Sequence, residues 1–152
     1  MTVPLNEIAK NDPRLLRALT PFAEMKLHCS QAVMLPYIEH YPDEVQQLIL
    51  DYTADLGGGV ADQGYVCGGL LGGVMALSRG LKERAVPQKE HERKVDTLVH
   101  DFSARHGSPF CSGITGRQRG TEAAYERCRF LVVDVIEAVD KLLAEADEGH
   151  AR

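Results

Sequence analysis

The sequence predicts an all-α fold, and three observations carry the prediction. Apolar residues recur at helical spacing over the C-terminal third, no stretch alternates apolar and polar residues, and helix-starting and helix-ending residues punctuate the rest of the chain. The clearest segment runs from about Thr121 to Glu145, where Cys128, Leu131, Val132, Val135, Val139 and Leu142 form a continuous stripe. Phe130, Val133 and Ile136 widen that stripe until little but Arg129, Asp134, Glu137 and Asp140 is polar, so this helix is expected at the centre of a bundle. With 152 residues, 44% of them hydrophobic, the chain is long enough to bury roughly two-thirds of its unfolded surface as a single domain over 1–152. Its core is expected from about 12 to 145, with the tail from Ala146 frayed.

The preceding elements follow in order. Asp12-Pro13 reads as an N-cap followed by proline at the first helical position, opening a short helix to about Leu19. A second helix begins near Cys29; Pro36 inside it cannot donate to the carbonyl of Ala32, so a kink is expected there. A third follows Tyr41-Pro42, places Val45, Leu48, Ile49 and Tyr52 on one apolar face, and stops at Gly57-Gly58-Gly59. No Gly-Lys-Ser or strand accompanies that glycine run, which therefore reads as a hinge and not a phosphate loop. The fourth helix, near Val66 to Ser78 with Gly80 as its C-cap, contains Gly68, Gly69, Gly72 and Gly73. Glycines cost about 1 kcal/mol each in a helix interior relative to alanine, so close approach of another backbone or a bound group is expected beside them. The fifth, Pro87 to about Arg105, carries Val95, Leu98, Val99 and Phe102 on one face and ends at His106-Gly107. Together these make a bundle of five to six helices around a buried C-terminal helix.

Charge and composition narrow the function. A net charge of −5 argues against a general nucleic-acid binder, whose affinity comes from lysines and arginines meeting phosphates. The charge is uneven: from Arg105 to Arg129 five arginines stand against Glu122 and Glu126, a local +3 that leaves −8 on the remainder. Gln63 to Ser78, the longest uncharged stretch, is too short and too glycine-rich to span a bilayer, and no membrane insertion is expected. Met1 to Thr20 lacks the apolar core of a secretory signal, so the chain reads as cytoplasmic. In that compartment cysteines are more often ligands or redox centres than structural bridges.

The four cysteines are therefore the functional signal. Cys29, Cys67, Cys111 and Cys128 are separated by 38, 44 and 17 positions with no CxxC among them, so only the fold can gather them. Three fall at predicted helix starts, where free N–H groups lower a thiol pKa and can donate to ligated sulfur. Arg117, Arg119, Arg127 and Arg129 would act in the same direction if they face the site. The bland alternative is four small core residues. His28 and His106 lie close in sequence to cysteines and are weighed as substitute ligands or bases against solvated helix-end residues. Asp134 is expected on an exposed edge, or paired with an arginine.

In this arrangement the chain resembles the C-GCAxxG-C-C family of redox-active proteins. Cys29 in Cys29-Ser30-Gln31-Ala32-Val33 resembles the lone first cysteine, and Cys67-Gly68-Gly69-Leu70-Leu71-Gly72 the second, with Gly69 in place of alanine. Cys111, after Arg105-His106-Gly107-Ser108, and Cys128, at the head of the long apolar helix, resemble the third and fourth. The likeness covers about Lys26 to Leu143 and implies a small helical redox protein. In that family the module also occurs fused to split-Soret haem domains with an associated iron-sulfur centre; the likeness implies no substrate.

Two site chemistries follow. If all four sulfurs converge, the donor type fits a Cys-ligated iron-sulfur cluster or, less well, a closed zinc site. If they converge in pairs, the chemistry is thiol-disulfide exchange without a cofactor, an oxidoreductase or redox sensor. The preferred reading is electron transfer through a cluster held by Cys29, Cys67, Cys111 and Cys128, with Gly68, Gly69 and Gly72 letting backbone N–H groups approach the sulfurs. A non-redox helical interaction domain is the third class. The expected partner is an unidentified redox protein, for which the arginine stretch offers a docking site for an acidic partner or an anion. A homodimer contact through the glycine-rich helix is the other association considered.

Overall fold

The computed structural model describes residues 3–150 of the chain. Asp12 accepts a hydrogen bond from the Arg14 N–H at 2.8 Å, and Pro13 opens α2 (Pro13–Ala23), preceded by the single turn of α1 (Leu5–Ile8). Then come α3 (Cys29–Ile38), α4 (Asp43–Thr53), α5 (Gly68–Glu83), α6 (Gln88–His106), the short α7 (Cys111–Thr115) and α8 (Glu122–His150). The described residues thus form an all-α fold of eight helices, against five to six expected. The additional elements, α1 and α7, are single turns too short for a periodic signal. Among the described residues the only β feature is the isolated bridge of Val66 with Phe110. No helix of the described residues is long and apolar enough to cross a membrane.

α8 is the central element. Leu131, Val132, Val133, Val135, Ile136 and Val139 are all buried, as the widened stripe predicts. α2, α3, α5 and α6 pack around it. α5 approaches two neighbours through two rows of glycine. A Cβ on Gly69, Gly73 or Gly80 would stand 2.7, 2.5 or 2.7 Å from Leu131, Val135 or Leu143 of α8, and one on Gly72 would stand 2.5 Å from the Ser30 carbonyl oxygen of α3. The glycines of α5 are therefore spent inside the molecule, which lets three helix axes come close together.

Several expectations change. α5 runs past Gly80 to Glu83, because Gly80 is needed against Leu143 within the helix and not as its cap. α3 continues through Pro36 without restarting, as the expected kink allows, and ends two residues later at Ile38. α8 does not fray at Ala146, which is fully buried; the rest of the expected tail, 151–152, lies outside the described residues. Phe130 is 43% exposed, whereas Arg129, expected outside, is buried with its Nη2 3.2 Å from Glu122 Oε1. The apolar face of α4 is largely uncovered: Leu48 and Tyr52 are 52% and 77% exposed. α4 is instead tethered at its end, where Ser30 Oγ donates to the Thr53 carbonyl at 2.8 Å and Gln31 Nε2 to the Leu50 carbonyl at 2.9 Å.

Candidate four-cysteine site

Each cysteine is set by a different local device. His28 caps α3 through a reciprocal capping box in which its N–H donates to Gln31 Oε1 at 2.8 Å, so Cys29, the first residue of α3, has a fixed starting direction. Cys67 is the N-cap of α5 and donates its N–H to the Pro109 carbonyl at 2.9 Å. Cys111, the first residue of α7, donates to the Tyr65 carbonyl at 2.7 Å. Those two bonds and the Val66–Phe110 bridge zip two segments remote in sequence, which brings Cys67 and Cys111 to one place. Cys128 joins them from α8, one turn after Ala124 and one before Leu131.

All four thiols line one cavity of about 590 Å³, together with Phe22, Leu27, Ile114, Ala124 and Leu131 as its apolar wall and Asp62, Arg119 and Tyr125 as polar groups. Cys67 and Cys111 are buried and Cys29 and Cys128 half-buried; all four are free thiols. Among the described residues no three side chains of His, Cys, Asp or Glu are grouped to hold one metal ion.

The backbone around the sulfurs is polar and aimed. N–H groups of Gly58, Ser30 and Gly69 are directed at the Cys29 sulfur, and those of Leu70 and Gly69 at the Cys67 sulfur. A Cβ on Gly68 would stand 2.8 Å from Cys29 Sγ, so glycine there is what admits the sulfur to the start of α5. Gly72, one turn on, stands closest to the Ser30 backbone. Gly58 belongs to a run, Gly58 to Asp62, in which every φ is positive, from +49° to +75°. Such a left-handed stretch costs about 1–2 kcal/mol for each non-glycine residue, and Val60 is a strong outlier for a β-branched side chain. The run is held by the Tyr65 N–H to Gly59 carbonyl bond at 2.9 Å and the Gly64 N–H to Gly58 carbonyl bond at 3.0 Å. The glycine segment read as a hinge thus also contributes to the cavity wall, through Gly58 and Asp62.

Burial decides the thiol chemistry. It pushes Cys67 and Cys128 up to about 12, helped in both by the nearby Cys29 thiol, and Cys111 adds to the effect on Cys128. Burial raises Cys29 as well, with Cys111 acting in the same direction and the three backbone N–H groups opposing it. The expected lowering of thiol pKa at helix starts is therefore outweighed for Cys29 and Cys67. Arg127 acts on Cys128 in the lowering direction but more weakly than burial.

The other expected participants separate. His28 lines the cavity, whereas His106 lies elsewhere, its ring tilted against Phe102 at 4.6 Å between ring centroids and 3.7 Å from Asp134. Asp134 is half-buried and faces Arg105 at 3.9 Å, the paired arrangement and not the open edge. Of the arginines, Arg119 lines the cavity and Arg127 donates to the Ile114 carbonyl of its wall, while Arg129 is buried against Glu122. Sequence reasoning missed Gly58 as a donor to sulfur and Asp62 as the partner of Arg119, at 3.4 Å. The triple glycine was the available signal for the first; nothing in the sequence marks the left-handed residues 60–62.

Comparison with known proteins finds one relation. Residues 27–142 match the family model described as "Putative redox-active protein (C_GCAxxG_C_C)", a span that includes all four cysteines. No curated protein and no solved structure matches the chain significantly.

Proposed function

Because the chain belongs to the C_GCAxxG_C_C family of redox-active proteins, we propose that it is an electron-transfer protein whose centre is an iron-sulfur cluster held by Cys29, Cys67, Cys111 and Cys128. The observation that carries this reading is the arrangement of four reduced thiols around one shared cavity with backbone N–H groups aimed at two of the sulfurs. Thiols buried together are unfavourable as thiolates, because each is desolvated and repels the next. Coordination by iron relieves both effects, and the N–H groups of Gly58, Ser30, Gly69 and Leu70 would then act on the ligated sulfurs and tune the potential. A single metal ion needs its ligands at one point, which the grouping of these side chains does not supply. In a cluster the four thiolates would be shared among two or more irons, so wider spacing would be accommodated.

When bound, the cluster would accept and release one electron. The chain's own part is to exclude water with Phe22, Leu27, Ile114 and Leu131, to hold the sulfurs from four separate elements, and to place N–H donors on them. Cofactor-free thiol exchange needs a thiolate at neutral pH, and the upward shifts of Cys29, Cys67 and Cys128 oppose it. Anaerobic purification with visible absorption and iron and acid-labile sulfide per chain tests the proposal. Stoichiometric iron and sulfide are expected, and each of the four single Cys→Ser variants is expected to lose most of both. Full cofactor retention in all four variants would overturn the assignment.

A further inference from the structure

The apolar side of α4 is left uncovered by the rest of the chain. Val45, Leu48, Ile49 and Tyr52 follow one another at helical spacing and form one stripe. Leu48 and Tyr52 stand open, while Val45 and Ile49 form one wall of a groove of about 860 Å³. Successive turns of α5, at Met75 and Arg79, form the opposite wall, and Met34 and Ile38 of α3 line it as well. Met75 is itself 39% exposed, so apolar surface continues across the groove. Exposed apolar surface that runs from a helix face into a groove marks an interaction site. The charge beside it has one sign. From Leu27 to Ser78 the sequence holds six carboxylates and no lysine or arginine. Glu39 and Asp62 are met by Arg17 and Arg119, whereas among the described residues Asp43, Glu44, Asp51 and Asp55 belong to no ion pair. Asp43 and Glu44 suit the N-terminus of α4, but Asp51 lies in its last turn, where the helix dipole disfavours a negative charge, and Asp55 follows in the 3-10 turn Ala54–Leu56.

We propose that this face binds a positively charged amphipathic helix of a partner protein, with the apolar side of that helix on the stripe and in the groove and its lysines or arginines at Glu44, Asp51 and Asp55. The placement follows from spacing: Glu44 stands four residues before Leu48, Asp51 three after it, and Asp55 three after Tyr52, so the carboxylates border the stripe. A trough walled by two helices is the shape that receives a third. Across the groove Arg79 and Arg84 are paired with Glu83 and Asp147, so that wall adds no net charge of its own. A second copy of this chain is disfavoured as the occupant, because a two-fold contact of α4 on α4 sets these carboxylates against their own images. The surface also adjoins the cysteines. Thr53 accepts from Ser30, the residue after Cys29, and the Leu56 carbonyl oxygen lies 2.6 Å from where a Cβ on Gly68 would stand, beside Cys29 Sγ. The inference rests on this face alone and does not depend on the cluster.

The test is a titration of the isotope-labelled full chain with a synthetic amphipathic helical peptide of leucine and lysine, followed by amide chemical shifts. The same peptide with glutamate in place of lysine, and phosphatidylcholine vesicles, are the parallel probes, and sedimentation of the chain alone reports self-association. Shifts at residues 44–55 and at Met75 are expected with the lysine peptide, diminishing as salt is added, and none there with the glutamate peptide. The double variant Leu48→Ser/Tyr52→Ser is expected to weaken binding about tenfold or more with an unchanged circular dichroism spectrum. Asp51→Lys/Asp55→Lys is expected to weaken it by a similar factor at low salt and to remove most of its salt dependence. Shifts centred elsewhere, no binding at low salt, equal binding of either variant or of the glutamate peptide, or preference for vesicles overturns the proposal. A dimer of the chain alone that Leu48→Ser/Tyr52→Ser abolishes also overturns it, since a second copy would then be the occupant.

Discussion

At the scale of single residues, the site depends on where side chains are missing as much as on where sulfur is present. Gly72 has no room for a methyl group, and what stands in the way is the Ser30 backbone, 2.5 Å from the position a Cβ would take. Gly80 is as crowded by distance, but its obstacle is the methyl end of Leu143, which can turn away. Gly72→Ala is therefore expected to cost about 1–3 kcal/mol and Gly80→Ala distinctly less, as read from urea unfolding midpoints. The thiols make a second residue-scale prediction for the metal-free protein. Cys67 and Cys128 sit at about 12 when folded and near 9 when unfolded. A group whose folded pKa is raised stabilises fully below its unfolded value and loses that contribution as pH climbs to the folded value. Stability should then fall between about pH 9 and pH 12, and less steeply in Cys67→Ala, in urea midpoints taken across that range. Equal slopes would show that the Cys67 thiol is not shifted.

At the scale of elements, burial does not follow apolar pattern alone. α4 carries a good apolar face by spacing, yet only Thr53 of its residues is buried, since the helix is anchored through its last carbonyls to Ser30 and Gln31. Leu48→Ser and Tyr52→Ser are accordingly expected to change stability by no more than about 0.5 kcal/mol, whereas Leu131→Ala on α8 should cost about 2–5 kcal/mol. Chemical denaturation of the three variants side by side decides this, and a large loss from Leu48→Ser would mean that the face is covered in solution. α5 shows the reverse case, a helix weak in intrinsic propensity that is made viable by packing. Its glycines give up local stability so that α3 and α8 approach closely enough to bring Cys29 and Cys128 toward the Cys67 end of the helix.

At the scale of the whole molecule, the cavity couples cofactor to fold because its walls come from α3, α5, α7, α8 and the loop after α4. A ligand that binds only this assembled arrangement stabilises it. Removing iron by chelation under reducing conditions should lower the melting temperature, by about 2–4 °C for each kcal/mol of coupling, as read by scanning calorimetry of loaded and stripped protein. No change on stripping would place the metal outside the four-cysteine site. The all-α class, α8 as the centre, the Asp12-Pro13 helix start and the end of α6 at Gly107 were all legible in the sequence, because periodicity and capping are local properties. The cysteines could be picked out, and three of them placed at helix starts, for the same reason. What only tertiary structure decided is that all four meet at one cavity, that burial there raises the Cys29, Cys67 and Cys128 thiols instead of lowering them, and that Gly58 to Asp62 turns left-handed to aim an N–H at sulfur. Each of these depends on contacts between residues far apart in the chain, and on the removal of water that such contacts bring, neither of which any local window of sequence contains.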